Sequence, residues 1–379
     1  MRTSNLNTPS VFLAAAATGT AAVILFSLMP VLIGALADQF DLSDTQSGLI
    51  ATAYFSSYAL VTLTSPAWIR RSNWRRVTVF AYVALVLGIL FFWLAGSYTQ
   101  ILVSMVAAGC GAGILFPLSL TIAADTERPE RTYALQIMPE QLIPAGLLLL
   151  VAGLNIVGTG SLILMVMATV LLCVLASWGM PAQGLAVTAS NARQGNVALG
   201  LLALLALAIN FSGYAGLWVF FERIAAQQKF PDTFTQTWLA VGLVMSGVGP
   251  IFAAIYANRF GYVMPIILGT VISILAMAAL VAEVSQLRYA LVLVVLPLAY
   301  YVAITYIMAV IADVDDTGKM AGLMSFALAV GAAGGPALFG ALNDAGHSAV
   351  PVMIVAVALG AVLSAIVMKL SAHKKTGFV

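Results

Sequence analysis

Apolar runs of about twenty residues alternate with short polar clumps along this chain, and the alternation repeats twelve times. A helix rises about 1.5 Å per residue and a bilayer's hydrocarbon core is roughly 30 Å thick, so the spacing predicts membrane-crossing helices. The predicted spans are 11–36, 48–69, 77–95, 101–123, 133–157, 161–178, 197–221, 238–257, 262–282, 289–312, 320–342 and 349–370. One position breaks the pattern: Glu140 lies inside the fifth apolar run.

Composition removes the alternatives. With 62% hydrophobic and 8% charged residues and a mean hydropathy of +1.05, the chain lacks the polar residues a water-soluble surface needs. The first apolar run is too long for the h-region of a cleaved signal peptide. Cys110 and Cys173 both fall inside spans, which argues against a disulfide framework, and no ligand cluster for a metal is present. The net charge of +2 gives no reason to expect nucleic acid. Its placement is informative: thirteen of the sixteen Lys and Arg fall on the side of the N-terminus, and only Arg223, Lys229 and Arg288 fall on the other. The positive-inside bias therefore predicts an integral protein of a bacterial inner membrane with both termini cytoplasmic.

The longest polar interval, 181–196, separates six spans from six. The expected organisation is an N-terminal bundle (1–180), a cytoplasmic linker (181–196) and a C-terminal bundle (197–379). A shift of 190 residues superposes Thr45 and Gln46 on Thr235 and Gln236, Leu49 on Leu239, and Asp125 on Asp315, at equivalent points of the two halves.

Six plus six spans, a central linker and a basic loop after the second span of each half resemble the major facilitator superfamily. The loop signature of that family is roughly G-x-x-x-D-R-x-G-R-R. Residues 254–261 (AIYANRFG) match it with Asn258 in place of the acid and Arg259 in register, while 65–76 (SPAWIRRSNWRR) keep the arginines and lose the acid and the glycines. The resemblance implies an all-α, polytopic fold of twelve transmembrane helices in two pseudo-symmetric six-helix bundles. It also implies a cytoplasmic gate in which Arg70, Arg71 and Arg259 pair with Asp125, Asp313 or Asp315. It departs from the family where Met105 stands near the usual span 4 arginine. The glycine–proline run of Gly331, Gly334, Gly335, Pro336 and Gly340 sits in span 11, whereas the family's antiporters carry such a run in span 5.

Glu140 is the leading candidate for chemistry. A charge near a helix centre costs roughly 2.5–3.5 kcal/mol to insert, so it faces a partner or a wet path. Gln136 lies one turn back on the same face, with Tyr133 beyond. Pro144 and Pro139 remove the donors to the carbonyls of Glu140 and Leu135, which predicts a kink beside the acid. The reading is proton coupling through Glu140 and Gln136; its bland rival is a permanently neutral acid locked to a neighbouring helix. Asn210, Tyr214 and Trp218 form a ridge on span 7, with Tyr54 and Tyr58 on span 2 and Tyr301 and Thr305 on span 10. These amphipathic side chains are candidate substrate-binding residues, although each singly is equally compatible with helix packing. The glycines of spans 4 and 11 read as points of close helix approach.

No phosphate-binding loop and no nucleophile elbow occur, so neither an ATP-driven engine nor a hydrolase is expected, and no cofactor is required. The expectation is a monomeric secondary transporter, with protons, lipid and a small organic substrate as its partners. Without a membrane-embedded Lys or Arg, dicarboxylates and phosphates fit poorly, and neutral or cationic, partly apolar molecules fit better. Compact loops lean toward export. Proton-symport uptake of a small aromatic or monocarboxylic nutrient and passive facilitation with a structural Glu140 are the alternatives.

Overall fold

The computed structural model describes residues 6–127, 129–154, 158–184, 197–256, 261–281, 283–314 and 319–376. Its elements are α1 (Pro9–Phe40), α2 (Asp44–Trp68), α3 (Trp74–Trp93), α4 (Tyr98–Ala124), α5 (Pro129–Gly153), α6 (Thr159–Ala176), α7 (Val197–Gln227), α8 (Asp232–Tyr256), α9 (Val263–Ala278), α10 (Gln286–Val314), α11 (Lys319–Asp344) and α12 (Val350–Thr376). A single 3-10 turn, Ser177–Gly179, follows α6. Each predicted span is one helix, and no strand occurs among the described residues.

Ten of the helices are long and apolar enough to cross a membrane. α9 has only 16 residues, and no membrane-length stretch of α2 is apolar enough to count with the ten. Several helices outrun their apolar spans because polar side chains finish them. Thr8 accepts from Val11 N–H with Pro9 at the first helical position, and Ser43 and Gln46 form a reciprocal capping box. Asn73 and Ser97 accept from the N–H groups of Arg76 and Gln100 at the starts of α3 and α4. α5 stays helical through both Pro139 and Pro144.

The two halves repeat one packing scheme. In the first, α1 touches α4, α5 and α6, α2 lies on α4, and α3 lies on α4 and α6; in the second, α7 touches α10, α11 and α12, α8 lies on α10, and α9 lies on α10 and α12. Between the bundles α2 runs along α11, α5 along α8, and α1 along α7. Shifting every helix by six exchanges the first two of these seams and returns the third to itself.

Glycine allows the closest approaches. Gly109 and Gly113 of α4 lie on the backbone of α2 at Tyr54 and Tyr58, and Gly331 and Gly335 of α11 lie on α7 at Ala208 and Ser212. A methyl at any of the four would collide with main chain, which cannot move aside. Outward, Leu60, Phe80, Leu175, Ile255 and Leu287 are at least two-thirds exposed, as lipid-facing apolar side chains are.

Candidate functional site

Glu140 points into the N-terminal bundle, away from lipid. Its carboxyl lies over Gly19 of α1, where a methyl would overlap it. Gln136 donates from Nε2 to Glu140 Oε1 at 2.9 Å and to Ser119 Oγ of α4 at 3.0 Å. The i, i+4 spacing thus yields a chain of polar groups from α5 to α4. Gln136 Oε1 is buried without a hydrogen-bond partner, while Glu140 retains 6% exposure. Tyr58 on α2 and Tyr301 on α10 both lie within electrostatic reach of Glu140, Tyr301 belonging to the other bundle.

The aromatic candidates divide by what their polar tips do. Tyr54 donates to Ala22 O at 3.1 Å inside its own bundle. Asn210 is fully engaged: Nδ2 donates to Val357 O of α12 at 2.8 Å, and Oδ1 accepts from Tyr300 O–H at 2.9 Å. It therefore ties α7 to α10 and α12. Trp218 Nε1 donates to Phe26 O of α1 at 3.2 Å, across the α1–α7 seam. That carbonyl is available because Pro30 has no N–H to give it, the rule already used for span 5. Thr305 returns its hydroxyl to Tyr301 O at 2.7 Å. Tyr58, Tyr214 and Tyr301 remain, and among the described residues their hydroxyls take no hydrogen-bond partner. Tyr214 is central to this group. It stacks on Tyr300 at 4.2 Å, meets Tyr301 edge-on at 5.5 Å, and lies parallel to Trp218 at 6.2 Å. What results is an aromatic cluster on α7 and α10 whose Tyr301 lies within electrostatic reach of Glu140 on α5.

At the face carrying the N-terminus, Arg70 Nη1 lies 2.5 Å from Asp125 Oδ2, joining the end of α2 to the end of α4. Trp74 packs beside this pair, and its backbone N–H donates to Ala182 O at 2.8 Å, so the segment after α6 is strapped to the N-terminal bundle. Arg71 is exposed in the turn after α2, and Asp313 is exposed near the end of α10. Asn258, Arg259 and Asp315 lie outside the described residues.

At the opposite face the two bundles are joined by polar side chains that the sequence did not single out. Asp344 at the end of α11 accepts from the N–H groups of Asp44 (3.1 Å) and Thr45 (2.8 Å), completing the N-terminus of α2. Asn343 donates to Asp44 at 3.1 Å, and Arg223 of α7 reaches Asp44 and Asp38, each at 3.4 Å. Gly48 and Gly340 let α2 and α11 meet backbone to backbone below this ring. In this structure the molecule is therefore closed on that face. Among the described residues no group of three or more His, Cys, Asp or Glu could hold a metal ion.

The family profile of the Major Facilitator Superfamily matches residues 11–139. Among solved structures, a bacterial homologue of the human lysosomal transporter Spinster, inward-facing and unoccupied, superposes with a TM-score of 0.65 at 16% identity, over 97% of this chain and 96% of that one. The same description in the occupied form gives 0.63 at 14% identity, over 96% of this chain and 94% of that one. No curated protein matches the sequence.

Proposed function

We propose that this chain is a transporter of the Major Facilitator Superfamily that drives a small organic molecule across the membrane by coupling alternating access to protons at Glu140. The observation that carries the reading is the position of that carboxyl. It lies at the middle of α5, inside the N-terminal bundle, held by Gln136 and within reach of Tyr301 on the other bundle. A charge there is costly and a neutral acid is cheap, so rearrangement of the bundles around it can take up and release a proton. Tyr58, Tyr214 and Tyr301 would orient the substrate, since their hydroxyls are free to bond it and their rings present π faces to an apolar or cationic body. On this reading the basic face is cytoplasmic, Arg70 and Asp125 belong to its gate, and export is the favoured direction.

Exchanging Glu140→Gln should abolish gradient-driven accumulation in proteoliposomes by at least about tenfold while sparing exchange of labelled substrate. Full pumping by that variant would remove Glu140 from the mechanism. One observation favours a second reading: the carboxyl is nearly enclosed by Gly19 and Gln136, as a purely structural acid would be. Passive facilitation then follows, and wild-type flux would ignore a pH gradient.

A further inference from the structure

Glu222, near the outer end of α7, has no part in the reading above. Its carboxyl presses on the backbone of Gly34 in α1, where a methyl would overlap it, so the contact spans the α1–α7 seam between the bundles. Its Oε2 is buried and makes no hydrogen bond. We propose that Glu222 is the proton-binding residue of the outer gate: the neutral acid lets α1 and α7 close on that face, and the carboxylate parts them.

Charge and packing both point this way. An ionised oxygen sealed without a donor carries the full cost of lost hydration, whereas a neutral acid carries a small part of it. The surrounding charges add to the asymmetry. Asp38 follows one turn after Gly34 on α1, Asp44 starts α2, Asp232 starts α8 and Asp344 ends α11, while the phenol of Tyr289 on α10 faces the same carboxyl. The nearest cation, Arg223, gives its guanidinium to Asp38 and Asp44 across the seam. A further negative charge at Glu222 would repel the two acids that Arg223 is holding in place. All of these groups converge only when the outer ends of the bundles meet. A proton arriving from the outer side would thus permit closure there, whatever occurs at Glu140.

The test uses full-length protein in nanodiscs with Cys110→Ser and Cys173→Ser. Spin labels are placed at Thr99→Cys and Leu287→Cys, exposed at the outer ends of α4 and α10. Raising the pH from about 5 to about 9 should move the distance distribution toward longer values, changing the open-to-closed ratio by about tenfold or more. Glu222→Gln should hold the short distance throughout, and Gly34→Ala should favour the long one at every pH. The same measurement on Glu140→Gln separates this gate from the coupling site, because a response that persists there and vanishes in Glu222→Gln belongs to Glu222. A pH-independent wild type, or a Glu222→Gln variant that still opens with rising pH, would overturn the proposal. Loss of the response in Glu140→Gln alone would place the sensor there instead. Should Gly34→Ala fail to fold, Glu222→Gln decides the matter.

Discussion

A single side chain inside the hydrocarbon layer can be read from sequence when its chemistry is out of place, and Glu140 was legible for that reason. Its bond to Gln136 was legible too, because four residues make one turn. The partners from other helices were not: nothing in a linear pattern ties Gly19 or Ser119 to position 140. Asn210 shows the converse. Its spacing with Tyr214 and Trp218 marks a ridge, yet both polar ends of the amide are spent inside the bundle on Val357 and Tyr300. Asn210→Ala strands the Tyr300 hydroxyl, and a buried group left so costs about 1–2 kcal/mol. The midpoint of thermal unfolding in detergent should fall accordingly. Thr305→Ala, which gives up only a bond to its own helix, should leave it nearly unchanged.

At the scale of helices, hydrophobic run length located every element, because a bilayer imposes one length on all of them. Helix ends were less legible, since caps and polar extensions lie beyond the apolar stretch: α7 continues to Gln227 and α12 to Thr376. The extension of α7 is what carries Glu222 and Arg223 into the seam. Prolines were legible as freed carbonyls, though the one that mattered most was Pro30, whose released Phe26 carbonyl takes Trp218 from the other bundle. Glycines separate into contact and non-contact positions only in three dimensions. Gly109 lies on the Tyr54 carbonyl, whereas Gly146 has nothing within 4 Å of where a methyl would go. Gly109→Ala should therefore lower the thermal midpoint by forcing α4 off α2. Gly146→Ala should hold or raise it through the roughly 1 kcal/mol gain in helix propensity.

For the whole molecule, the twofold internal repeat was visible as matched residues 190 apart, and the helix contacts reproduce it seam by seam. What sequence could not convey is which face is shut, because that depends on residues some 300 positions apart meeting. The carboxylate of Asp344 has a consequence for how the cycle can be observed. It serves the first amides of α2 only while the halves touch on that side; once they separate, those amides must turn to water. The start of α2 is therefore a built-in clock. Deuterium uptake at Asp44 and Thr45 should rise in proportion to the time spent open on that face, and Asp344→Ala should set it at its fast limit without any cargo present.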